Sequence, residues 1–166
     1  MKVIDKAFMD ELSAVAASAP RLRTHFNLHQ TLEDPIHRVV MAAVPGTYVR
    51  PHRHLASGKF EDFTILRGRA VVLSFNDAGV IRRRVELIAG EGVPMLEMAP
   101  DEWHTFFPLD DKVIVCEVKP GPYAKPAASD FAAWAPEEGT PGAAELIKWF
   151  RIAAEGEAWE RKGSLH

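Results

Sequence analysis

Residues 46–68 read GTYVRPHRHLASGKFEDFTILRG, and the reading of this stretch decides the fold. It sets His52 and His54 one residue apart, with Glu61 seven positions beyond the second, in a segment bracketed by Gly46 and Gly68. In a β-strand alternate side chains share a face, so His52 and His54 point the same way and sit close enough to grip one ion. The same parity brings Tyr48 and Arg50 to that face and turns Val49 and Arg53 away. Glu61 opens the next apolar run, with Phe63 and Ile65 on its own side, and the intervening loop would bring its carboxylate beside the imidazoles. A fourth group stands in APDEWHTFF, residues 99–107, where His104 follows a turn and precedes aromatic residues suited to an apolar wall.

Around this stretch, from Ile36 to about Lys119, the chain is a succession of short β-branched and aromatic runs: RVVMAAV, FTIL, RAVVLSF, VIRRRVELI and KVIVCEV. Turn signals separate them at Pro45-Gly46, Arg67-Gly68, Asn76 to Gly79, Gly90 to Gly92 and Leu109 to Asp111. Strands with no helices between them predict an antiparallel sandwich or barrel, whose narrow interior can hold one small ligand or metal. Residues 5–19 predict an amphipathic helix capped by Asp5 and stopped by Pro20, with Phe8, Leu12 and Val15 on its apolar side. Residues 120–142, PGPYAKPAASDFAAWAPEEGTPG, predict an ordered extended arm, because Tyr123, Phe131 and Trp134 call for burial. Thr140-Pro141 then opens a second helix with Leu146, Trp149, Phe150 and Ala153 in one stripe, and the tail from Glu160 is expected to fray.

At 166 residues the chain suits one domain: an N-terminal helix and arm over 1–35, a barrel over 36–120, and a C-terminal arm and helix over 121–166. A net charge of -3 argues against a phosphate-binding basic surface, so nucleic acid is not the expected partner and a small molecule is. The lone Cys116 cannot form an internal disulfide, and the first twenty residues lack the apolar core of a signal peptide. No apolar run approaches the ~20 residues needed to cross a bilayer. The expectation is a cytoplasmic protein with no membrane partner.

Imidazole and carboxylate together suit one divalent transition metal, Fe, Mn, Ni or Zn, and affinity order alone does not choose among them. An H-x-H pair fixes only half a coordination shell and on an exposed strand commonly has no role. The added Glu61 and His104, in one strand-rich region, favour a metal held by His52, His54, Glu61 and His104.

These residues resemble the two motifs of the cupin superfamily. Gly46, TYVRP, His52-Arg53-His54, a gap, Glu61, DFTILR and Gly68 follow the first motif, with six residues in the gap where three or four are usual. The second motif ends on His104, with Ala99 at its proline position and Asp101 at its glycine position, where aspartate tolerates a left-handed turn. More narrowly, SAPRLRTHFNLH, PGTYVRPHRH, EWHT, EVKPGPY and DFAAWAPEE resemble the WbuC family of cupin-fold metalloproteins over nearly the whole chain. That resemblance implies a mainly β, cupin-type antiparallel barrel, jelly-roll-like, with short N- and C-terminal helices. It further implies a link to surface-polysaccharide (O-antigen) biosynthesis, with no settled reaction, and a homodimer as the habit of related proteins.

Two readings follow. One is a metal-dependent enzyme on a sugar, sugar phosphate or nucleotide-sugar, an isomerase or epimerase, with an oxygenase as its rival. The other is a non-catalytic sugar- or metabolite-binding protein whose metal is structural or an anchor. In the first, Tyr48 is a candidate proton donor or a packing residue, and Glu117 a base or one half of a structural ion pair. Arg50 either pairs with a substrate phosphate or carboxylate or lies on the surface. Arg23, His25, Asn27 and His29 form either a substrate-contacting lid or a solvated connection. Arg83 shares parity with Ile81, Val85 and Leu87 and is a candidate to reach inside, Cys116 is expected to be buried and inert, and the four tryptophans to be packing residues.

Overall fold

A computed structural model describes residues 1–55 and 59–160. Helix α1 (Lys6–Ser18) is followed by β1 (Arg23–Asn27), β2 (Ile36–Ala43), β3 (Glu61–Arg67), β4 (Arg69–Phe75), β5 (Ile81–Ile88), β6 (Met95–Met98), β7 (Trp103–Pro108), β8 (Val113–Pro120) and helix α2 (Pro141–Ile152). The strands form two antiparallel sheets, ordered β1-β2-β8-β3-β6 and β5-β4-β7.

Alternation along the strands places the layers. Phe63, Ile65, Val113 and Val115 of the larger sheet meet Ala70, Val72, Leu87 and Phe106 of the smaller one in a single apolar core. The opposite face of the smaller sheet, through Val71, Leu73, Phe75 and Phe107, is covered by Leu146 and Phe150 of α2 and by Ala132 and Ala135 of the arm. The outer face of the larger sheet, through Val40, Ala42 and Ile114, is covered by Leu12 and Ala16 of α1. The order across the molecule is helix, sheet, sheet, helix, as expected when each sheet face must bury its apolar side.

The helices follow their signals closely. Asp5 accepts a hydrogen bond from Phe8 N at 2.9 Å and caps α1. α2 begins at Pro141 after Thr140. Gly68 turns the chain between β3 and β4 at φ +74, where an added Cβ would lie 2.6 Å from the Lys112 carbonyl.

Several expectations need correction. Residues 23–27 are not a solvated connection: they form edge strand β1, paired with β2, so strand structure begins before residue 36. Val15 is 48% exposed, and Ser13 and Ala16 take the buried side of α1 instead. Tyr123 is likewise exposed, whereas Phe131 and Trp134 are half-buried. The parity of β5 breaks at a bulge: Ser74 pairs with Arg83 but Phe75 pairs with Ile81, which leaves Arg82 unpaired. Ile81 therefore joins the core under α2 while Leu87 joins the core between the sheets. Arg83 stays outside with Glu155, and Arg84 is the one that turns toward α2. Residues 161–166 of the expected frayed tail lie outside the described residues.

Candidate metal centre

Four groups converge at one end of the space between the sheets. Glu61 is the first residue of β3 and faces inward with Phe63 and Ile65, only 2% exposed. His104 is the second residue of β7 and shares the inward face with Phe106. His52 and His54 come from the connection between β2 and β3, which is not a regular strand. There His52 exchanges two backbone hydrogen bonds with His104, His52 N to His104 O at 3.0 Å and His104 N to His52 O at 2.8 Å. On the other side Arg53 N donates to Asp130 O and Ala132 N to Pro51 O, both at 2.9 Å, so β7 and the C-terminal arm hold this segment extended without a ladder of its own. The alternation that aims His52 and His54 together thus survives although the strand does not.

One ligand atom from each of His52, His54, Glu61 and His104 lies within 4.8 Å of every other. His54 Nε2 is 2.7 Å from Glu61 Oε1 and His104 Nε2 is 3.0 Å from Glu61 Oε2. The six-residue gap is therefore no obstacle to Glu61. The His52 ring meets the Arg50 carbonyl through Nδ1 at 3.0 Å, and the His104 ring meets the Glu102 carbonyl through Nδ1 at 2.8 Å. A carbonyl accepts only, so each Nδ1 donates, and in the neutral ring Nε2 keeps its lone pair for the centre. Among the described residues, His54 Nε2 and His104 Nε2 are buried without a hydrogen-bond partner of proper geometry. Lone pairs of imidazole and carboxylate facing one another at 3 Å repel unless a proton or a cation lies between them, so this donor set fits a divalent transition metal.

Electrostatics agree with that geometry. Burial and then the neighbouring His104 push the His52 imidazolium down to about 3, which keeps the ring neutral and available. Burial opposes a charge on His104, but the adjacent Glu61 carboxylate outweighs it and raises the ring above its ordinary value. Burial also opposes ionisation of Glu61, yet His104, His54 and Lys119 hold it well below the usual carboxylate range. Glu117 is pushed up by burial and by Glu61, against the pull of Lys119.

Lys119 was absent from the sequence candidates. Its Nζ lies 2.8 Å from Glu61 Oε1 and 2.5 Å from Glu117 Oε1. Two residues beyond Glu117 in a strand, it shares that residue's face, but the β3–β8 pairing that sets it against Glu61 has no local signature. With His54, Lys59, His37, Tyr123 and Asp130 it lines a cavity of about 90 Å³ beside the cluster. A wider cavity of about 1110 Å³, lined by Trp149, Ile152 and Trp159, lies at α2 and includes none of the four converging residues.

The other candidates have partners elsewhere. The Tyr48 hydroxyl is buried and donates to Pro136 O at 2.7 Å, with burial pushing its pKa up. Arg50 donates to Ala132 O at 3.3 Å and stands over the Phe131 ring. Arg23 pairs with Glu138 at 2.9 Å and donates to Tyr48 O. Asn27 is exposed, and its backbone carbonyl accepts from Lys2 Nζ at 3.2 Å. His29 is buried, accepts from Arg38 N through Nδ1 at 3.2 Å, and stacks on His37 with ring centroids 4.2 Å apart.

Residues 4–87 match the family described as Domain of unknown function (DUF6016). No curated protein matches the sequence. Among solved structures, a conserved protein of unknown function from Streptococcus pyogenes is similar at a TM-score of 0.50 and 15% identity, over 74% of this chain and 90% of that one. A structure of oxalate oxidase is similar at 0.50 and 17% identity, over 64% of this chain and 54% of that one. A cupin superfamily protein from Desulfitobacterium hafniense is similar at 0.46 and 13%, over 59% and 76%. Likeness at these identities is one of fold alone, and the fold is mainly β, two antiparallel sheets with two helices.

Proposed function

We propose that this chain, which belongs to the family described as Domain of unknown function (DUF6016), is a metal-dependent enzyme of the isomerase or epimerase type acting on a small molecule, with a sugar or sugar phosphate as its substrate class. The observation that carries the metal is the pair of buried Nε2 atoms of His54 and His104, without a hydrogen-bond partner among the described residues, turned toward the two oxygens of Glu61. His52, His54, Glu61 and His104 would hold the ion. A divalent transition metal bound there would supply a Lewis acid that polarises a substrate oxygen.

Beside the ligands stands a titratable pair, Glu117 and Lys119, which favours an enzyme over a purely structural ion. Glu117, pushed above the ordinary carboxylate value by burial and by Glu61, is the candidate base beside the ligands. Lys119, which lines the 90 Å³ cavity, holds Glu117 beside that space. At about 90 Å³ the cavity is small and would enclose only the reacting end of a sugar. The sugar class itself is supported by the sequence resemblance rather than by the shape of the site. Tyr48, Arg50, Arg23, Asn27 and His29 are not carried into this proposal as contacts to substrate, given the partners described above.

The test is elemental analysis of protein purified without a metal-affinity tag, for the wild type and for His52→Ala/His104→Ala. About one iron, manganese, nickel or zinc per chain in the wild type, lost in the variant, is the expected result. Phosphosugar isomerisation and epimerisation assays on the loaded protein then address the reaction. A wild type that neither carries nor accepts a metal would sink the enzyme reading.

A further inference from the structure

Lys119 stands outside the four-residue cluster, yet its position is fixed more firmly than a flexible lysine's usually is. β8 pairs with β3 so that Glu117 lies opposite Phe63 and Val118 opposite Asp62. One step further along the same register puts Lys119 opposite Glu61, and cross-strand neighbours on one face are held within side-chain reach by the backbone itself. The ammonium takes Oε1 of Glu61 at 2.8 Å and Oε1 of Glu117 at 2.5 Å. Its side chain is 26% exposed, against 2% for Glu61 and 13% for Glu117.

This arrangement treats the two oxygens of Glu61 differently. Oε1 is occupied by the lysine and lies by His54, whereas Oε2 faces His104. Lys119 and Glu117 neutralise one another, so the negative charge of Glu61 is left for a cation in the centre. We propose that Lys119 is the positioning residue of the metal centre: by holding Oε1 it limits Glu61 to a one-oxygen ligand through Oε2, and it keeps the Glu117 carboxylate from joining the ion. The inference rests on the metal reading above and assigns a role to a residue outside the ligand set. Without the lysine, Glu61 is free to bind through both oxygens, Glu117 is left buried and unpaired, and the coordination of the ion changes.

Cobalt(II) serves as the probe because the intensity of its visible bands falls as coordination number rises. Chelator-stripped full-length protein is titrated with cobalt(II) and compared with Lys119→Met, which keeps the bulk, and with Lys119→Ala, titrated with and without ethylammonium. Circular dichroism checks the fold of each variant, and if one fails to fold the other carries the comparison alone. The expected result is a weaker visible band in both variants, as the coordination number rises. Ethylammonium, small enough for the cavity beside His54, should restore the wild-type spectrum of Lys119→Ala. A wild-type spectrum in Lys119→Met, or an altered Lys119→Ala spectrum that the amine does not change, would overturn the role. Absence of any cobalt band in the wild type would instead fail the metal reading, and this inference with it.

Discussion

His104 meets three constraints at once: its backbone pairs with His52, its Nδ1 donates to Glu102 O, and its Nε2 faces Glu61. Truncating it should remove more than one ligand's share of affinity, because the ring lies tilted against His52 with centroids 4.3 Å apart, and its loss leaves Glu61, among the described residues, with His54 and Lys119. We expect His104→Ala to lower bound metal from about one ion per chain to near zero, as read by elemental analysis. Proton competition gives a second expectation. The Glu61 carboxylate holds the His104 ring above its ordinary value, so in the metal-free protein a proton occupies the place of the ion at mild acidity. Metal affinity should therefore be highest on the alkaline side and fall as pH drops through the raised His104 value, measured by cobalt titration between about pH 8 and pH 5. An affinity flat across that window would argue against His104 as a ligand. At this scale the sequence was informative, down to Asp101, whose φ of 65 is the left-handed turn expected at the glycine position of the second motif.

At the scale of elements, the bulge in β5 has consequences that period-two counting misses. It turns Arg84 rather than Arg83 toward α2, where Nη1 donates to Phe150 O at 2.7 Å and Ala153 O at 3.2 Å and Nη2 to Arg151 O at 3.3 Å. These are the carbonyls left without partners at a helix C-terminus, and a cation there also opposes the helix dipole. Hydrogen bonds to a charged group contribute about 1.5–3 kcal/mol, so Arg84→Met should lower Tm by several degrees while the exposed Arg83→Met changes stability by no more than ~0.5 kcal/mol. Equal effects of the two substitutions in a thermal melt would mean that the bulge is misplaced. The bulge left no mark in the RRR run, because all three side chains look alike to a hydrophobicity pattern.

At the scale of the whole molecule, Glu138 in the C-terminal arm pairs with Arg21 at 2.7 Å and with Arg23 of β1 at 2.9 Å, joining segments more than a hundred positions apart. Burial works against ionisation of Glu138, but the two arginines hold its pKa below the ordinary value. A carboxyl depressed in the folded state adds stability above its unfolded pKa of about 4.3, and that stability is lost as pH falls through the folded value. Glu138→Gln should thus melt lower than the wild type at neutral pH, and the difference should shrink as the pH drops below about 4. A difference independent of pH would assign the effect to packing instead. Bound metal acts at this scale too: because the ligands come from both sheets and a connecting segment, an ion at 100 times its Kd should stabilise the fold by about 2.7 kcal/mol, visible as a metal-dependent rise in Tm.

The sequence by itself determined what short-range periodicity and turn chemistry can carry. That includes most of the strands, the turns at Gly46, Gly68 and Gly79, the starts of both helices, and the residue types that converge at the candidate metal centre. Only the tertiary structure decided how these pieces face one another. The pairing of His52 with His104, the docking of Arg23 on Glu138 and the clamp of Lys119 on Glu61 each join positions far apart in the chain. The reason is physical. Alternation along a strand says which side chains share a face, but which strand lies opposite, and in which register, is settled only when both sheets bury their apolar faces together.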